Sequence, residues 1–263
     1  MMLCASTSVC GRKTDSVPQP RLSLVFPAYN ESARIGSALR EALAYLDSRG
    51  IEGEVVVVND GSRDDTLEKA QAVADADPRV RVLTHSPNRG KGYAVREGML
   101  GARGEFRIFL DVDLATPVDQ ADALLAELEG GADVVIGSRH MAGAVIEVHQ
   151  SWIRRWMGAA FRLIAAALLP LRVSDVTCGF KGMRGDVAGD LFSVQQETGW
   201  AFDAELIFVA RKWGLDLRET PVRWRDSGET RVRPLAAAIS SFQEILGIRA
   251  HDRRGCYVRP GSA

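Results

Sequence analysis

Two carboxylates one residue apart close an apolar run in the stretch "FLDVDLAT", where Asp111 and Asp113 follow Phe109 and Leu110. Alternate side chains of an extended segment point the same way, so both carboxylates can face one ligand. Carboxylate oxygens suit a hard cation such as Mg2+ or Mn2+, which keeps some waters and bridges phosphate oxygens. A solvated acidic loop has the same pattern, so the surrounding elements must decide between the two interpretations.

The stretch "NDGSRDDT" contains another carboxylate, Asp60, at the tip of an apolar strand. Asp60 is placed to accept hydrogen bonds from a nucleobase or a ribose. The alternative is ordinary turn chemistry, in which Gly61 permits a tight turn, Ser62 caps the next helix, and Asp64 and Asp65 favour its positive end. Both interpretations stay open from this stretch alone.

The stretch "NRGKGYAVREG" places Lys91 between two glycines just before a helical pattern. It lacks the upstream glycine and the Ser or Thr of a P-loop, and "PAYNES" stands where a dinucleotide fingerprint would follow the first strand. What remains is a glycine turn that presents Arg89 and Lys91 near a helix N-terminus, where anions bind. The alternative is a solvated basic turn.

Other catalytic patterns are absent from the sequence. The four histidines show no metal-ligand spacing, and there is no GxSxG nucleophile elbow. The four cysteines are scattered without a CxxC pair, which argues against a zinc site or a disulfide framework and fits a reducing compartment.

The overall composition gives no bias toward a nucleic-acid partner, because 33 basic residues balance 34 acidic ones. The first twenty residues are small and polar, so we predict a disordered tail and no secretory signal. The longest apolar run, 156–171, contains Arg162 and Pro170 and is shorter than the roughly 20 residues of a spanning helix. We therefore expect no transmembrane segment.

Strand and helix patterns alternate from residue 21 to residue 138, which predicts an α/β fold with a mostly parallel, Rossmann-like sheet flanked by helices. The four valines of "EVVVVND" are typical of a strand covered on both faces. In such sheets the ligand crevice lies beyond the carboxyl ends of the strands. The strand ends carry Asn30 and Glu31, Asp60, Lys91, and the Asp111–Asp113 pair, so we expect one polar edge.

The alternation stops after Arg139. Residues 150–171 predict a long apolar helix, "SDVTCGFKGMR" a loop and a short strand, and "WAFDAELIFVARKWG" a helix. "LRETPVRWRD" predicts a strand and "PLAAAISSFQEILGIRA" a terminal amphipathic helix. No internal repeat or long linker divides the chain, which predicts a single domain.

The motifs "VFPAYNES", "VVVNDGSRDDT", "NRGKGYAVREGM", "FLDVDLAT", "VIGSR" and "DVTCGFK" resemble, in order and spacing, the inverting family 2 glycosyltransferases of the GT-A fold. The similarity is greatest to the dolichyl-phosphate β-glucosyltransferase and dolichyl-phosphate mannose synthase group and covers residues 21–250. "DVTCGFK" and "WAFDAEL" resemble the glucosyl branch more closely.

The resemblance implies residues for a nucleotide sugar. Pro27, Tyr29 and Glu31 match positions that line the nucleotide, and Asp60 matches the acid that holds the base or ribose. With Lys91 of the glycine turn, they form the expected donor set.

The resemblance also implies a reactive centre and an acceptor pocket. Asp111 and Asp113 match the aspartates that bind the metal, Mg2+ or Mn2+, and the sugar nucleotide; with Arg139 they form the expected catalytic set. The cations expected to face the phosphate of a polyprenyl acceptor are Arg139, Arg154, Arg225 and Arg231.

Two positions depart from the family pattern. Asn59 stands where the family often has an aspartate, and Ala115 stands where mannose synthases carry a metal-binding Gln. The glucosyl branch is similar to this chain at position 115. The resemblance therefore favours UDP-glucose over GDP-mannose as the donor.

We expect the metal to neutralise the departing diphosphate and the cations to hold an anionic acceptor near the donor. The acceptor phosphate is largely ionised near neutral pH, so no general base is obligatory, and displacement from behind gives inversion. Asp203 and Glu205 of "FDAE" are candidates for orienting the site, or simply part of a helix face. The alternatives are a transferase with a soluble acceptor, a mannosyltransferase using GDP-mannose, and a non-catalytic binding module.

This interpretation divides the single domain into a disordered tail (1–20), a nucleotide-sugar-binding half (21–140), an acceptor-binding half (141–250) and a basic tail (251–263). Apolar helices and the terminal arginines Arg249, Arg253, Arg254 and Arg259 favour peripheral contact with the cytoplasmic face of a membrane. Helices packed on the sheet, with solvated arginines, are the alternative.

Overall fold

The computed structural model describes residues 19–148, 168–225 and 234–261; for Val148 and for residues 234–241 only the backbone is described. The predicted apolar helix at 150–171 therefore lies outside the described residues, apart from its last four positions. No helix in the described ranges is long and apolar enough to cross a membrane.

The first half follows the predicted alternation of strands and helices. Its elements are β1 (Leu22–Ala28), α1 (Ile35–Arg49), β2 (Gly53–Asp60), α2 (Thr66–Ala76), β3 (Val80–His85), α3 (Lys91–Gly101), β4 (Phe106–Leu110), a 3-10 turn (Val118–Gln120), α4 (Ala121–Glu129) and β5 (Val134–Ser138).

The second half contains β6 (Val145–Val148), β7 (Phe180–Arg184), α5 (Gly185–Val194), α6 (Phe202–Lys212), β8 (Leu217–Pro221), β9 (Arg223–Arg225) and α7 (Pro234–Arg253). The sequence did not predict α5, nor the small sheet in which β6 pairs with β9. The helix α7 continues three residues past the predicted boundary at 250, and the segment after it packs on the body, where Tyr257 is buried.

Within the described residues, the main sheet has seven strands in the order β3-β2-β1-β4-β7-β5-β8. The mostly parallel α/β sheet is confirmed, because only β7 runs antiparallel to its neighbours β4 and β5. Val55, Val56, Val57 and Val58 of β2 are all fully buried; Val55 and Val57 belong to one core cluster and Val56 to the other. Helices thus cover both faces of the sheet, as the run of valines predicted.

Candidate active site

The polar edge lies where β1, β2 and β4 end, and the loops after β1 and β2 are joined by hydrogen bonds. The Asn30 N–H donates to Ser62 Oγ at 2.9 Å, and the Arg63 N–H donates to Asn30 Oδ1 at 2.8 Å. The Glu31 N–H donates to Thr66 Oγ1 at 2.7 Å. Asn30 adopts a φ of 55°, a left-handed conformation that asparagine tolerates. These bonds fix the two loops relative to each other.

Ser62, which the turn-chemistry alternative made a helix cap, does not cap α2. Asp64 Oδ1, not Ser62, accepts the Thr66 N–H at the start of α2, at 3.1 Å. Burial would raise the pKa of Asp64, but hydrogen bonds from Thr66 and Ser32 outweigh it and lower the pKa to about 2. Ser62 is instead used to hold the loop after β1.

Tyr29 and Glu31 lie on this edge, just beyond β1, and Pro27 is the penultimate residue of β1. The Tyr29 side chain is exposed, while Glu31 Oε2 accepts hydrogen bonds from the Arg34 guanidinium at 2.9 Å. Their contact with a nucleotide stays a prediction.

Asp60 is buried at the end of β2, and its carboxylate binds the loop that leads into α3. Oδ1 lies 2.6 Å from His85 Nε2 and accepts the Arg89 N–H at 2.7 Å. Oδ2 accepts from Asn88 Nδ2 at 2.8 Å and from the Gly90 N–H at 3.0 Å. Each oxygen thus has two protein partners, so Asp60 organises the loop, and direct contact with a base or ribose stays a prediction.

The loop ends at Lys91, the first residue of α3, whose ammonium lies 2.7 Å from Asp111 Oδ1. Burial would lower the pKa of Lys91, but the carboxylates of Asp111, Asp203 and Asp113 outweigh it and raise the pKa. Lys91 is therefore a charged ammonium beside the end of β4, and its contact with a donor phosphate stays a prediction.

Asp111 and Asp113 occupy a tight turn after β4. Leu114 has a φ of 48°, and Asp113 Oδ1 accepts the Ala115 N–H at 3.1 Å. The Asp111 side chain is 40% exposed, and Gly179 leaves room for it: a Cβ there would lie 2.2 Å from Asp111 Oδ2. The Asp111 carboxylate is thus partly open to solvent on the polar edge, and Asp113 is half-buried two residues further on.

This donor set fits a magnesium or manganese ion that shares its coordination with phosphate oxygens and water. No group of three or more His, Cys, Asp or Glu able to hold a metal was found among the described residues. Two carboxylates suit an ion bound through one or two protein ligands plus substrate phosphates, rather than in an all-protein cage.

Arg139, just after β5, is paired inside the protein. Its guanidinium binds both oxygens of the buried Asp175, at 2.7 and 2.9 Å, and also Thr177 Oγ1 at 2.9 Å. Burial would raise the pKa of Asp175, but Arg139 outweighs it and lowers the pKa to about 2. The guanidinium also lies 5.5 Å from the ring of Trp224. Its contact with an acceptor phosphate stays a prediction.

Of the other arginines predicted to bind the acceptor, only Arg225 lies within the described residues. Arg225 is exposed at the end of β9, and its N–H donates to the Ala115 carbonyl at 2.8 Å, beside the Asp111–Asp113 turn. Arg154 and Arg231 lie outside the described residues.

Residues 23–192 match the model of glycosyl transferase family 2. The chain belongs to this family. The match spans the polar edge, including the Lys91–Asp111 pair, and extends through β7 and most of α5. The protein is therefore a glycosyltransferase, as the resemblance implied.

Among curated proteins, this glycosyltransferase is similar to dolichyl-phosphate beta-glucosyltransferases. One from Trichomonas vaginalis is 33% identical over 247 residues, covering 90% of this chain and 73% of the relative. One from Drosophila melanogaster is 36% identical over 245 residues, covering 88% and 75%.

Among solved structures, the fold is similar to glucosyl-3-phosphoglycerate synthase from Mycobacterium tuberculosis, with a TM-score of 0.65 and 22% identity. The similarity covers 92% of this chain and 82% of the synthase, which was crystallised with Mn2+, UDP-glucose and phosphoglyceric acid. The GT-A-like fold is confirmed.

The structure adds two groups to the site of this glycosyltransferase that the sequence reasoning left out. Lys181 of β7 is buried and pairs with Asp203 of α6, while Lys91 lies close enough to Asp203 to affect its pKa. The Trp200 side chain is 44% exposed, with its ring 5.7 Å from Lys91 Nζ. A lysine within an apolar strand indicates a buried carboxylate partner, because a buried charge must be paired. No local sequence pattern indicated that Trp200 would lie at the site.

Proposed function

We propose that this glycosyltransferase transfers glucose from UDP-glucose to a dolichyl or related polyprenyl phosphate, with inversion at the anomeric carbon. The names of its curated relatives support the sugar and the acceptor. Ala115, in place of the mannose-synthase Gln, supports UDP-glucose over GDP-mannose. The observation that carries the proposal is the Lys91–Asp111 pair next to Asp113, at the end of β4 in a chain of this family.

Asp111 and Asp113 would hold Mg2+ or Mn2+. The structural neighbour supports this choice, because it was crystallised with either metal together with UDP. When bound, the ion supplies positive charge to the diphosphate as it leaves. The Asp111 side chain is 40% exposed, so its carboxylate is accessible to a ligand in addition to Lys91.

Lys91 would bind the donor diphosphate. Its ammonium is held charged by Asp111 and Asp203, so it can stabilise the negative charge that grows on the diphosphate as the glycosidic bond breaks. The Asp60 carboxylate contributes indirectly, because its bonds to Arg89 and Gly90 fix the residues just before Lys91.

The acceptor would approach from the second half of the protein, with Arg139, Arg154, Arg225 and Arg231 in the acceptor set. Arg225 is adjacent to the turn after Asp113 through its bond to Ala115. Cations there reduce the repulsion between two anionic substrates. The phosphate oxygen of the acceptor attacks from the face opposite the leaving diphosphate, and being largely ionised it needs no dedicated base.

Membrane contact fits a lipid acceptor. Phe242 and Leu246, 42% and 46% exposed, lie four residues apart on α7, and Arg253 continues the same face toward the end of the helix. Such a face suits the cytoplasmic surface of a membrane with acidic lipids. Arg259, which the sequence grouped with these arginines, instead lies 3.5 Å from Asp190 and stacks over Trp213.

The test is a donor panel. The purified protein is incubated with UDP-glucose, UDP-galactose or GDP-mannose, with a short polyprenyl phosphate in detergent, and with Mn2+, Mg2+ or EDTA. We expect transfer from UDP-glucose, a β-linked lipid product, and loss of activity in EDTA. Asp113→Asn should reduce transfer by about a thousandfold, because a misplaced metal forfeits several kcal/mol of charge stabilisation.

Asp186→Asn is the matched control, since Asp186 is an exposed, ion-paired carboxylate at the opposite edge of the sheet. Transfer that persists in EDTA would contradict the roles of Asp111 and Asp113. Transfer to phosphoglycerate or another soluble phosphate, with none to polyprenyl phosphate, would replace the proposed acceptor. Preference for GDP-mannose would replace the proposed donor.

A further inference from the structure

The C-terminal segment reaches the polar interior beside the active site through Tyr257. This tyrosine follows α7, is 1% exposed, and its hydroxyl donates to Glu205 Oε1 at 2.6 Å. Glu205 lies on α6 and is fully buried. A hydroxyl 52 residues away along the chain thus supplies one of the three hydrogen bonds that this carboxylate accepts.

The other two bonds come from the turn formed by residues 195–201, called here the 195–201 turn. The Gln196 N–H donates to Glu205 Oε1 at 2.8 Å and the Glu197 N–H to Oε2 at 2.9 Å. At its other end, the Ala201 N–H donates to Glu244 Oε2 of α7 at 2.7 Å. The buried carboxylate of Glu205 and the half-buried carboxylate of Glu244 therefore set the path of the turn.

The 195–201 turn packs against the start of α3. The Tyr93 N–H donates to the Thr198 carbonyl at 3.2 Å, and Gln195 Nε2 donates to the Gly92 carbonyl at 3.0 Å. Gly90 has a φ of 102°, and a Cβ there would lie 2.5 Å from the Thr198 oxygen, so only glycine allows this approach. Residues on both sides of Lys91 are thus fixed by the turn.

The same turn places Trp200 over the Lys91 ammonium, whose partner is Asp111. A chain of contacts therefore runs from Tyr257 through Glu205 and the turn to Lys91.

We propose that Glu205 and Tyr257 are positioning residues for the transfer reaction: they hold the 195–201 turn against the start of α3 and thereby place Lys91 against the donor diphosphate. This inference rests on the proposed function for the role of Lys91. The chain of contacts itself does not, so the two can be tested separately.

The test removes one hydroxyl with Tyr257→Phe. Its matched control is Tyr45→Phe, because Tyr45 is also buried and donates to a carboxylate, Asp122 Oδ1 at 2.9 Å, but between α1 and α4. Hydrogen exchange is followed in peptides covering residues 88–95 and 195–201, and kcat and KM are measured for UDP-glucose.

We expect Tyr257→Phe to speed exchange in both peptides and to lower kcat by about tenfold with a smaller change in KM, because a displaced ammonium weakens stabilisation of the leaving group most. Tyr45→Phe should change neither. Glu205→Gln should have a larger effect, and the double variant with Tyr257→Phe should be no worse than Glu205→Gln alone, since the hydroxyl acts through Glu205.

Unchanged exchange in both peptides, or a kcat loss equal in the two tyrosine variants, would overturn the proposal. If the wild-type protein shows no transfer from UDP-glucose, the proposed function fails, while faster exchange in residues 88–95 still supports the coupling. If Glu205→Gln does not fold, the comparison of the two tyrosine variants alone decides.

Discussion

In both halves of the protein a buried carboxylate accepts backbone N–H groups of a site loop, but the partners in the second half are further apart in the sequence. In the first half, the Asp60 carboxylate accepts the N–H groups of Arg89 and Gly90, in a loop that directly follows the neighbouring strand. In the second half, the Glu205 carboxylate accepts the N–H groups of Gln196 and Glu197, and needs Tyr257 as a further partner. The two loops meet where Gly90 touches Thr198.

The buried charges of the two halves differ more. Asp60 is bound by backbone N–H groups, an amide and a histidine, all from residues 85–90. The second half instead buries an ion pair, Lys181 with Asp203, and its buried Asp175 pairs with Arg139 at the end of the first half. A buried ion pair costs much desolvation and is destabilising when only one partner is removed. The second half should therefore respond more strongly to the loss of a single charge.

The largest effect that we expect is from Lys181→Met, which leaves the Asp203 carboxylate buried without its ammonium. It should lower the free energy of unfolding by about 3–5 kcal/mol. Arg49→Met, which breaks an exposed pair with Asp122 in the first half, should lower the free energy of unfolding far less, because solvent screens an exposed ion pair. Urea titrations of both variants check the difference; equal losses would show that the halves do not differ in this respect.

This contrast explains why the first half could be predicted from the sequence. Strand and helix periods, the valine run of β2, and the polar residues at strand ends are local signals, and each appears at its predicted place. Lys91, Asp111 and Asp113 were expected on one edge because parallel strands end together; the structure brings Lys91 and Asp111 into contact, and Asp113 is near enough to raise the pKa of Lys91.

The second half depends on partners far apart in the sequence. Lys181 and Asp203 were visible as residue types, but their pairing requires β7 to insert antiparallel between β4 and β5, which no local pattern indicates. The bond from Tyr257 to Glu205 likewise depends on the chain returning after α7. The basic composition of residues 251–263 predicted a tail and gave no sign of this anchor.

The next effect concerns the first half. Asp60→Asn removes a carboxylate oxygen that accepts two hydrogen bonds, so we expect a loss of about 1–3 kcal/mol in the free energy of unfolding. UDP binding, followed by calorimetry, should weaken in parallel because the loop before Lys91 loosens. Weaker binding with unchanged stability would instead favour direct contact between Asp60 and the nucleotide. Asp186→Asn, at the other edge of the sheet, controls for the change in net charge.

A smaller effect is a pH dependence confined to the second half. Burial, with the nearby carboxylates of Glu205 and Glu244, raises the pKa of Glu197 from 4.5 to about 7. The folded protein thus binds this proton more tightly than the unfolded chain. The stabilisation that Glu197 gives to the folded protein is fully present below about pH 4.5 and is lost as the pH rises to about 7.

Glu197→Gln should remove this part of the pH dependence. Between pH 5 and pH 7.5, we expect the free energy of unfolding of the wild type to fall relative to the variant, by about 2 kcal/mol. The groups facing Glu197 include Glu205 on α6, Glu244 and His251 on α7, and Arg96 near Glu205 on α3. Parallel pH curves for the two proteins would contradict the assignment.

The smallest effect tests whether the second half also meets the membrane. Arg253→Glu combined with Arg254→Glu reverses two exposed charges at the end of α7, beyond Phe242 and Leu246. Each cation near an acidic surface contributes about 1 kcal/mol, so binding to vesicles containing phosphatidylserine should weaken at least tenfold at low salt. Arg40→Glu combined with Arg103→Glu makes the same change in net charge in the first half and should leave vesicle binding unchanged.

The salt dependence of vesicle binding distinguishes specific contact through α7 from a general electrostatic attraction. At 1 M salt the Debye length falls to about 3 Å, so the charge contribution disappears and only apolar insertion remains. If α7 is the contact, Phe242→Ser should then weaken the residual binding, while both arginine double variants should match the wild type. If Phe242→Ser has no effect and the two double variants lose binding equally at low salt, α7 does not face the bilayer, and the acceptor lipid must reach Lys91 and Asp111 by another side of the second half.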